Sequence, residues 1–513
     1  MKKFTLLLLA VATTLTAAFT LNTDGEHEEH FKRLFGEHDI ATGFVILPHA
    51  DASYLKETPY ETLSFLGMAN VDFPTFINGE LIENITENGF FAVHMPLSMG
   101  RNTFIFENGE YSREVLVRRV SPERGGTAAR RTDFSRAVYG RAESGNISRF
   151  YNGNDNNHGT PLARDTFFRI VAEQGDYYIL QDDSYVFISR VERVPADDIP
   201  TDFLPLYTVD IQDNHASVTW FEFDGEVKDV SEFEFDRPIS GHYIKDGEVA
   251  FTLMPAKLSE ARVLIDAGHG GTDPGALGPA GRYGAMEKDF NLAVATMTVD
   301  FLRERGLQVD FMRDTGDFIP LLERMEVFEE TPYDLVLSVH SNSMSVNRDF
   351  NSSSGPLMYY TLSQSQNAAN TILAPIAAAT GHEFTPAIKR NFAMARHTAG
   401  VSMLFEMGFM CNPADYEQML APDYLELLAA SLAQGIVDYF SEGVIEAEPT
   451  PPEKPEKPAT TPQDGSRPER PTKPEPITAD KQDNTANFVI VAMLSCLVMY
   501  RIPLKIKKRG KKQ

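Results

Sequence analysis

The sequence predicts a multidomain protein in which a β-rich N-terminal half precedes an α/β domain with a mostly parallel, twisted sheet flanked by helices. The chain has 513 residues, which corresponds to about three domains at roughly 150 residues each. Residues 40–258 consist of short strand-like segments and Asn-Gly turns. From Val263 onwards, apolar strand-like runs alternate with helical patterns, and this alternation is typical of a parallel sheet.

The composition limits the partners of the folded part. Hydrophobic residues make up 42% of the chain, which is enough for buried cores. Asp and Glu number 73 against 47 Lys and Arg, for a net charge of −26, and this balance argues against a nucleic-acid partner. The two ends are basic and the stretch between them is strongly acidic, which is typical of a protein that is sorted by its termini.

The sequence pattern of residues 1–20 predicts a signal peptide. Lys2 and Lys3 precede an apolar run from Phe4 to Ala12, and the small residues 16–18 follow it. We therefore expect an exported protein.

The C-terminus predicts a linker and an anchor. Residues 443–485 are rich in Pro, Glu, Lys and Thr, which predicts a disordered linker. Residues 487–504 are largely apolar and predict a transmembrane or sorting segment, followed by a basic cytoplasmic tail at 505–513. The preceding residues 475–479 resemble a Gram-positive wall-sorting motif but lack its Leu and Gly, so membrane anchoring and wall attachment both stay open.

The two cysteines are separated by these segments. Cys411 lies in the body of the chain and Cys496 in the apolar C-terminal segment. We therefore predict neither an internal disulfide nor a disulfide-linked partner.

The β-rich half divides into three parts. Residues 40–122 contain Asn78-Gly79 and Asn108-Gly109 as hairpin signals and resemble bacterial immunoglobulin-like modules. Residues 132–198 resemble an SH3-like barrel, and residues 204–258 form a short β-rich segment. The ligand of this half is not predicted.

The α/β part shows a clear order of elements. Val263–Ile265 predicts a buried strand, and Lys288–Arg305 predicts an amphipathic helix that stops at Gly306. Further strands are predicted at 307–312, 335–339 and 401–405, and further helices at 363–380 and 424–440.

Side chains that can bind a metal ion or transfer a proton lie at the ends of these strands. His269 follows the first strand, and His340 and Glu406 end two later ones, so they should meet at one edge of the sheet. Glu287 stands where the first helix begins. Two histidines and a carboxylate are a common catalytic zinc set, and a second carboxylate can take a proton from the metal's water. A phosphate-binding loop is the alternative for Gly268–Gly271, but the P-loop Lys and the dinucleotide-binding glycine order are absent.

Residues 262–441 resemble the zinc-dependent N-acetylmuramoyl-L-alanine amidases of the type-3 class. The motifs that carry the resemblance are VLIDAGHGGTDPGALGPAGRYGAMEKDFNLAVA, MRDTGDFIPLLER, DLVLSVHSN, GPLMYY and MLFEMGFMCNPADYEQM. The resemblance implies a bound Zn²⁺ with His269, Glu287 and His340 as ligands and Glu406 as the catalytic glutamate. It also implies hydrolysis of the amide between N-acetylmuramic acid and L-alanine in peptidoglycan.

Four further residues fall in family-like segments and are expected to contact substrate: Arg313, Arg324, Asn342 and Arg396. For the arginines, packing or salt bridges to the many acidic residues is an equally open interpretation.

Two other functions stay open from the sequence. One is a non-enzymatic wall-binding protein or adhesin, and the other is a zinc peptidase that cuts within the stem peptide. The identity of the bond that is cut distinguishes them from the amidase.

Overall fold

The computed structural model describes residues 45–47, 57–121, 129–152, 154–281 and 284–442. The predicted signal peptide, linker, apolar C-terminal segment and basic tail lie outside these residues. Within the described ranges, no helix is both long and apolar enough to cross a membrane. The prediction of a β-rich first part followed by a domain of sheet and helices is confirmed. The immunoglobulin-like and SH3-like identities stay predictions.

The first β module, residues 45–119, consists of two packed sheets. Its strands are β1 (Val45–Leu47), β2 (Glu57–Thr58), β3 (Thr62–Met68), β4 (Thr75–Ile77), β5 (Glu80–Leu81), β6 (Phe90–Pro96), β7 (Gly100–Asn108) and β8 (Tyr111–Arg119). They pair in the orders β1-β3-β6 and β2-β8-β7-β4-β5. Phe65 and Phe91 of the first sheet pack in one core with Phe106 of the second, and such aromatic burial dominates the stability of a small module.

The two Asn-Gly signals form hairpins in different ways. Asn78 and Gly79 link β4 to β5, both with positive φ, as the predicted tight turn requires. In the second hairpin Asn108 is still paired, with Tyr111, so the turn shifts to Gly109 and the residue after it. The reason is that the Asn108 amide is buried and donates to the carbonyls of Asn70 and Phe73.

The rest of the β-rich part forms a second β module, residues 132–205, and a third β segment, residues 207–253. The second module contains β9 (Thr132–Ala142), β10 (Phe150–Tyr151), β11 (Asn154–His158), β12 (Thr166–Gln174), β13 (Tyr177–Leu180), β14 (Ser184–Phe187), β15 (Val191–Val194) and β16 (Leu204–Pro205) in one eight-stranded sheet. The third segment contains β17 (Tyr207–Gln212), β18 (His215–Phe221) and β19 (Val227–Glu234) in one sheet and the hairpin of β20 (Ile239–Lys245) and β21 (Glu248–Leu253).

The α/β domain is built on a six-stranded sheet in the order β23-β22-β24-β27-β25-β26. Its elements are β22 (Arg262–Ala267), α1 (Glu287–Glu304), β23 (Gln308–Phe311), α2 (Leu321–Glu330), β24 (Leu335–Asn342), β25 (Leu357–Tyr360), α3 (Gln366–Thr380), β26 (Ile388–Lys389), β27 (Val401–Phe409), α4 (Pro413–Met419) and α5 (Pro422–Glu442). The strands pair in parallel except β25 with β27.

Helix α1 shows how sequence pattern becomes packing in this domain. Phe290, Val294 and Leu302 lie on its buried face and pack into the core that the sheet shares with α3 and α5. Gly306, the predicted stop, has φ of 87° and ends the helix. The buried face therefore fixes α1 against the sheet, with its first residue, Glu287, beside the carboxyl ends of the strands.

The third β segment docks directly onto the α/β domain through its backbone. The amide of His242 donates to the carbonyl of Thr398 at 2.7 Å, and the Gln364 side chain bridges the carbonyls of Ser240 and Gly400. At Gly241, an added Cβ would overlap the backbone of residues 398–400. Close approach of the two backbones therefore depends on this glycine.

We expect Gly241→Ala to destabilise the folded protein, because the methyl group has no space and must push the two backbones apart. Overpacking of this kind costs about 1–3 kcal/mol. The midpoint of urea unfolding should fall, whereas Gly316→Ala, in open space with an ordinary φ, should change it much less. Equal midpoints for both variants would contradict a tight backbone contact at Gly241.

Candidate metal centre and active site

Three neighbouring strands bring the predicted catalytic side chains to one edge of the sheet. β22 pairs in parallel with β24, and β24 pairs in parallel with β27, so their carboxyl ends lie side by side. His340 on β24 is the register partner of Glu406 on β27. His269 follows two residues after the end of β22. Residues far apart in the chain therefore share one site.

His269, Glu287 and His340 form a cluster whose donor atoms lie within 4.8 Å of one another. Nε2 of His269 is 3.0 Å and Nδ1 of His340 is 2.9 Å from the same atom, Oε1 of Glu287. Ligand atoms around a tetrahedral zinc ion, at about 2.0–2.2 Å from the metal, lie roughly 3.3–3.6 Å apart. The two distances to Glu287 fall slightly below that range.

The surroundings of the cluster also fit zinc. Oδ2 of Asp273 lies 2.8 Å from Nδ1 of His269, and Nε2 of that ring faces Glu287. Zinc-binding histidines usually have such a carboxylate or carbonyl on the far nitrogen, which fixes the tautomer and the ring orientation. Two imidazoles and one carboxylate are also a donor set that catalytic zinc uses. The residues present therefore fit a zinc ion.

Glu287 is held as an ionised carboxylate. It is 4% exposed, and its oxygens accept hydrogen bonds from the amides of Ala276 and Ser341. Burial alone would raise the pKa of Glu287. His269 and His340 outweigh this effect through their hydrogen bonds and their charges, and they lower the pKa of Glu287 below its usual value. A metal ligand must be deprotonated, and this environment favours that state.

The loop before α1 passes close to the cluster. A Cβ added at Gly268 would overlap the ring of His340, and one added at Gly275 would overlap the carboxylate of Glu287. His269 itself has φ of 62°, a left-handed conformation that costs a non-glycine residue about 1–3 kcal/mol. Surrounding contacts must therefore hold the loop in place.

Two buried arginines supply those contacts. Arg313 is 2% exposed and donates to the carbonyls of Ala267 and Gly268. Arg324 is 4% exposed, donates to the carbonyls of Ala267 and His269, and forms a short ion pair with Asp266. These guanidinium groups therefore support the backbone of the His269 loop. Arg324 also lines the cavity above the metal cluster, and the contact of both arginines with substrate stays a prediction.

The other two predicted substrate residues occupy different places. Asn342 ends β24, and its side chain donates to the hydroxyl of Tyr359 at 3.3 Å. Arg396 does not line the cavity above the metal cluster; its Nη1 donates to the carbonyl of Asn146 in the second β module. The structure thus groups Asn342 with the catalytic edge and separates Arg396 from it.

Glu406 is suited to proton transfer. It is 8% exposed, and its Oε2 is buried without a hydrogen-bond partner in the described part of the chain. Burial raises the pKa of Glu406 well above its usual value, and the negative charge of Glu287 adds to the effect. A carboxylate with a raised pKa is a stronger proton acceptor than an ordinary carboxylate.

A cavity of about 300 Å³ opens above the cluster. Its polar part is lined by Asp266, His269, Asp273, Arg324 and His340. Its apolar walls come from the segment before α2 and the start of that helix, from the segment before β27 and from β27 itself, with the residues Phe318, Ile319, Leu321, Phe392, Ala393, Met394 and Leu404. A polar floor with apolar walls is typical of a substrate site.

Sequence reasoning missed two residues that support the cluster. Asp273 orients His269, and Asn291 donates to the carbonyl of Gly268 and to Glu287. Asp273 has a sequence signal, since it follows His269 by four positions within the glycine-rich loop. Asn291 lies one helical turn after Glu287, on the same buried face of α1.

Comparisons with known proteins agree on one family. Residues 263–438 match the family described as N-acetylmuramoyl-L-alanine amidase. The chain is 30% identical to the uncharacterized protein YqiI of Bacillus subtilis over 203 residues, which covers 38% of this chain and 94% of that protein. It is 25% identical to the N-acetylmuramoyl-L-alanine amidase AmiA of Escherichia coli over 221 residues, covering 35% of this chain and 75% of AmiA.

A solved structure is similar over the same part of the chain. It is the catalytic domain of CwlV, an N-acetylmuramoyl-L-alanine amidase from Bacillus (Paenibacillus) polymyxa var. colistinus. The sequence identity is 31%, and the match covers 35% of this chain and 98% of that domain with a TM-score of 0.33.

We expect Gly268→Ala to weaken metal binding, because the added methyl group displaces the ring of His340. A loss of affinity of at least about tenfold is expected, as for changes that disturb ligand orientation. Zinc retained after dialysis against a weak chelator measures this. Gly316→Ala is the matched control, and equal zinc contents in the two variants would argue against His340 as a ligand.

We expect Arg324→Ala to destabilise the fold, because it leaves the buried carboxylate of Asp266 without its charged partner. Breaking a buried ion pair in this way costs about 3–5 kcal/mol. Chemical denaturation measures the loss, with Arg305→Ala, an exposed arginine on the same domain, as the control. Normal stability combined with a raised KM would instead support the original prediction of a substrate contact.

Proposed function

We propose a mechanism from the premise that the chain belongs to the N-acetylmuramoyl-L-alanine amidase family. The chain is an enzyme of this class and acts on peptidoglycan. The bond that such enzymes hydrolyse is the amide between N-acetylmuramic acid and the L-alanine of the stem peptide. The single observation that supports the mechanism is the convergence of His269, Glu287 and His340 beside Glu406.

The three clustered residues would hold the metal. Nε2 of His269, Nδ1 of His340 and the carboxylate of Glu287 are the atoms that face one another. Zinc bound there would polarise the scissile carbonyl and lower the pKa of a bound water to about 7. Asp273 keeps His269 in the tautomer that presents Nε2.

Glu406 would act as the general base and then as the general acid. Its unbonded Oε2 would accept the proton of the attacking water and return it to the nitrogen of L-alanine as the amide bond breaks. The register pairing of Glu406 with His340 keeps the carboxyl group beside the metal ligands throughout. A positioned general base of this kind contributes about 10²–10⁴-fold to the rate.

The apolar walls would position the substrate. Phe318 and Ile319 on one side and Phe392 on the other line the cavity above the metal cluster. They would pack against the apolar faces of the sugar and of the L-alanine methyl group and would exclude bulk water from the reacting bond.

The place of action would be outside the cytoplasm. Related proteins are named cell wall amidases, and the sequence begins with a signal-peptide pattern. We propose in addition that residues 487–504 tether the protein to the membrane or the wall, supported only by the apolar sequence and the basic tail behind it.

The bond that is cut tests this function. Mass spectrometry of muropeptides treated with the protein should show a glycan whose N-acetylmuramic acid has a free lactyl carboxylate, and an intact stem with a new L-alanine amino terminus. Cleavage within the stem would indicate the zinc peptidase instead. Binding to wall sacculi without turnover, at any metal loading, would indicate the non-enzymatic alternative.

We expect Glu406→Gln to lower kcat by about 10²–10⁴-fold while zinc binding is retained, because Glu406 is not a ligand in the proposed mechanism. His269→Ala and His340→Ala should lose both zinc and activity. Glu383→Gln, at an exposed glutamate elsewhere on the domain, is the matched control. Full activity in the Glu406 variant would refute its role as the base.

A further inference from the structure

A second cavity, of about 350 Å³, lies between the second β module and the α/β domain. Its walls come from residues 143–148 of the module and from α2 and residues 391–396 of the α/β domain. It shares two lining residues, Leu321 and Ala393, with the cavity above the metal cluster. The two cavities therefore adjoin one another at these residues.

Two buried polar atoms in this cavity have no partner in the described part of the chain. They are Nε of Arg396, a donor, and Oδ1 of Asn391, an acceptor. An unsatisfied buried polar atom costs about 1–3 kcal/mol, so native proteins rarely keep one without a reason. Asn391 and Arg396 both line the cavity and thus place polar side chains with spare hydrogen-bonding capacity in its wall.

The cavity is also lined by two neighbouring arginines, Arg190 and Arg396. Burial and the charge of the neighbouring Arg190 lower the pKa of Arg396 to about 10. Among the described residues, no carboxylate lies within ion-pair distance of either arginine, although the chain as a whole is strongly acidic. Of the acidic residues that line the cavity, Glu329 pairs with Arg164, and Glu143 and Glu326 are exposed.

The cavity has fixed walls. The amide of Asn391 donates to Oγ of Ser148 at 2.9 Å, and Arg396 donates to the carbonyl of Asn146 at 3.2 Å. An added Cβ at Gly145 would overlap the side chain of Glu329. The module is thus packed closely against the α/β domain, and both contribute to the same preorganised site.

We propose that this cavity binds a carboxylate of the stem peptide, with Arg190 of the second β module and Arg396 of the α/β domain as its cationic partners. The inference rests on the proposed function, because the stem peptide enters only when its L-alanine lies at the metal cluster. The second β module is then part of the substrate site.

Two matched substrates test the proposal. One is a muropeptide with free stem carboxylates, and the other is the same muropeptide with those groups converted to carboxamides. Each is digested by the full-length protein and by Arg190→Ala, Arg396→Gln and the control Arg136→Ala, at an exposed arginine of the same module. The readout is kcat/KM for each pair, together with the unfolding midpoint of each variant.

The wild type and Arg136→Ala should favour the free carboxylate by about tenfold or more, because a hydrogen bond to a charged group is stronger than one to a neutral group. Arg190→Ala and Arg396→Gln should lose most of that preference while they still cleave the carboxamide substrate. Equal cleavage of both substrates by the wild type would overturn the proposal, as would an unchanged preference in Arg190→Ala. Failure of the wild type to cleave either substrate at the L-alanine amide would refute the proposed function itself.

Discussion

The parallel pairing of β22, β24 and β27 is the constraint on which the site depends. It places the carboxyl ends of three strands side by side, and the register sets His340 beside Glu406. A slip of one residue would turn every side chain of a strand to the opposite face, so the buried apolar residues of these strands also fix the catalytic geometry. Glu287 joins the edge because the apolar face of α1 sets where the helix begins.

Buried carboxylates and backbone carbonyls lie close together at the same edge of the sheet. Asp266, Glu287 and Glu406 are each less than 9% exposed. Arg324 compensates Asp266 and, with Arg313, binds the carbonyls of the loop that turns back over the sheet. Glu287 and Glu406 are left to face the two histidines, which is an environment that favours a bound cation.

The sequence was sufficient to predict His269, His340 and Glu406 as neighbours, since each follows an apolar run and parallel strands share an edge. Glu287 was also predictable, because a helical pattern begins there. The supporting role of Arg313 and Arg324 could not be predicted, because contacts between a buried guanidinium group and backbone carbonyls are tertiary contacts that leave no local sequence pattern. The packing of the second β module against the α/β domain could not be predicted either, since the contact between Asn146 and Arg396 joins residues 250 positions apart.

The loop after β24 connects the first β module to the chemistry of the other domain. The amide of Ser64 on β3 donates to the carbonyl of Val346, and its hydroxyl donates to the carbonyl of Arg348. Val346 packs against the apolar core of the module, only a few residues beyond His340. The catalytic domain is therefore not independent of the module: a chimera that exchanges it for the domain of a relative must carry the module along or redesign this loop.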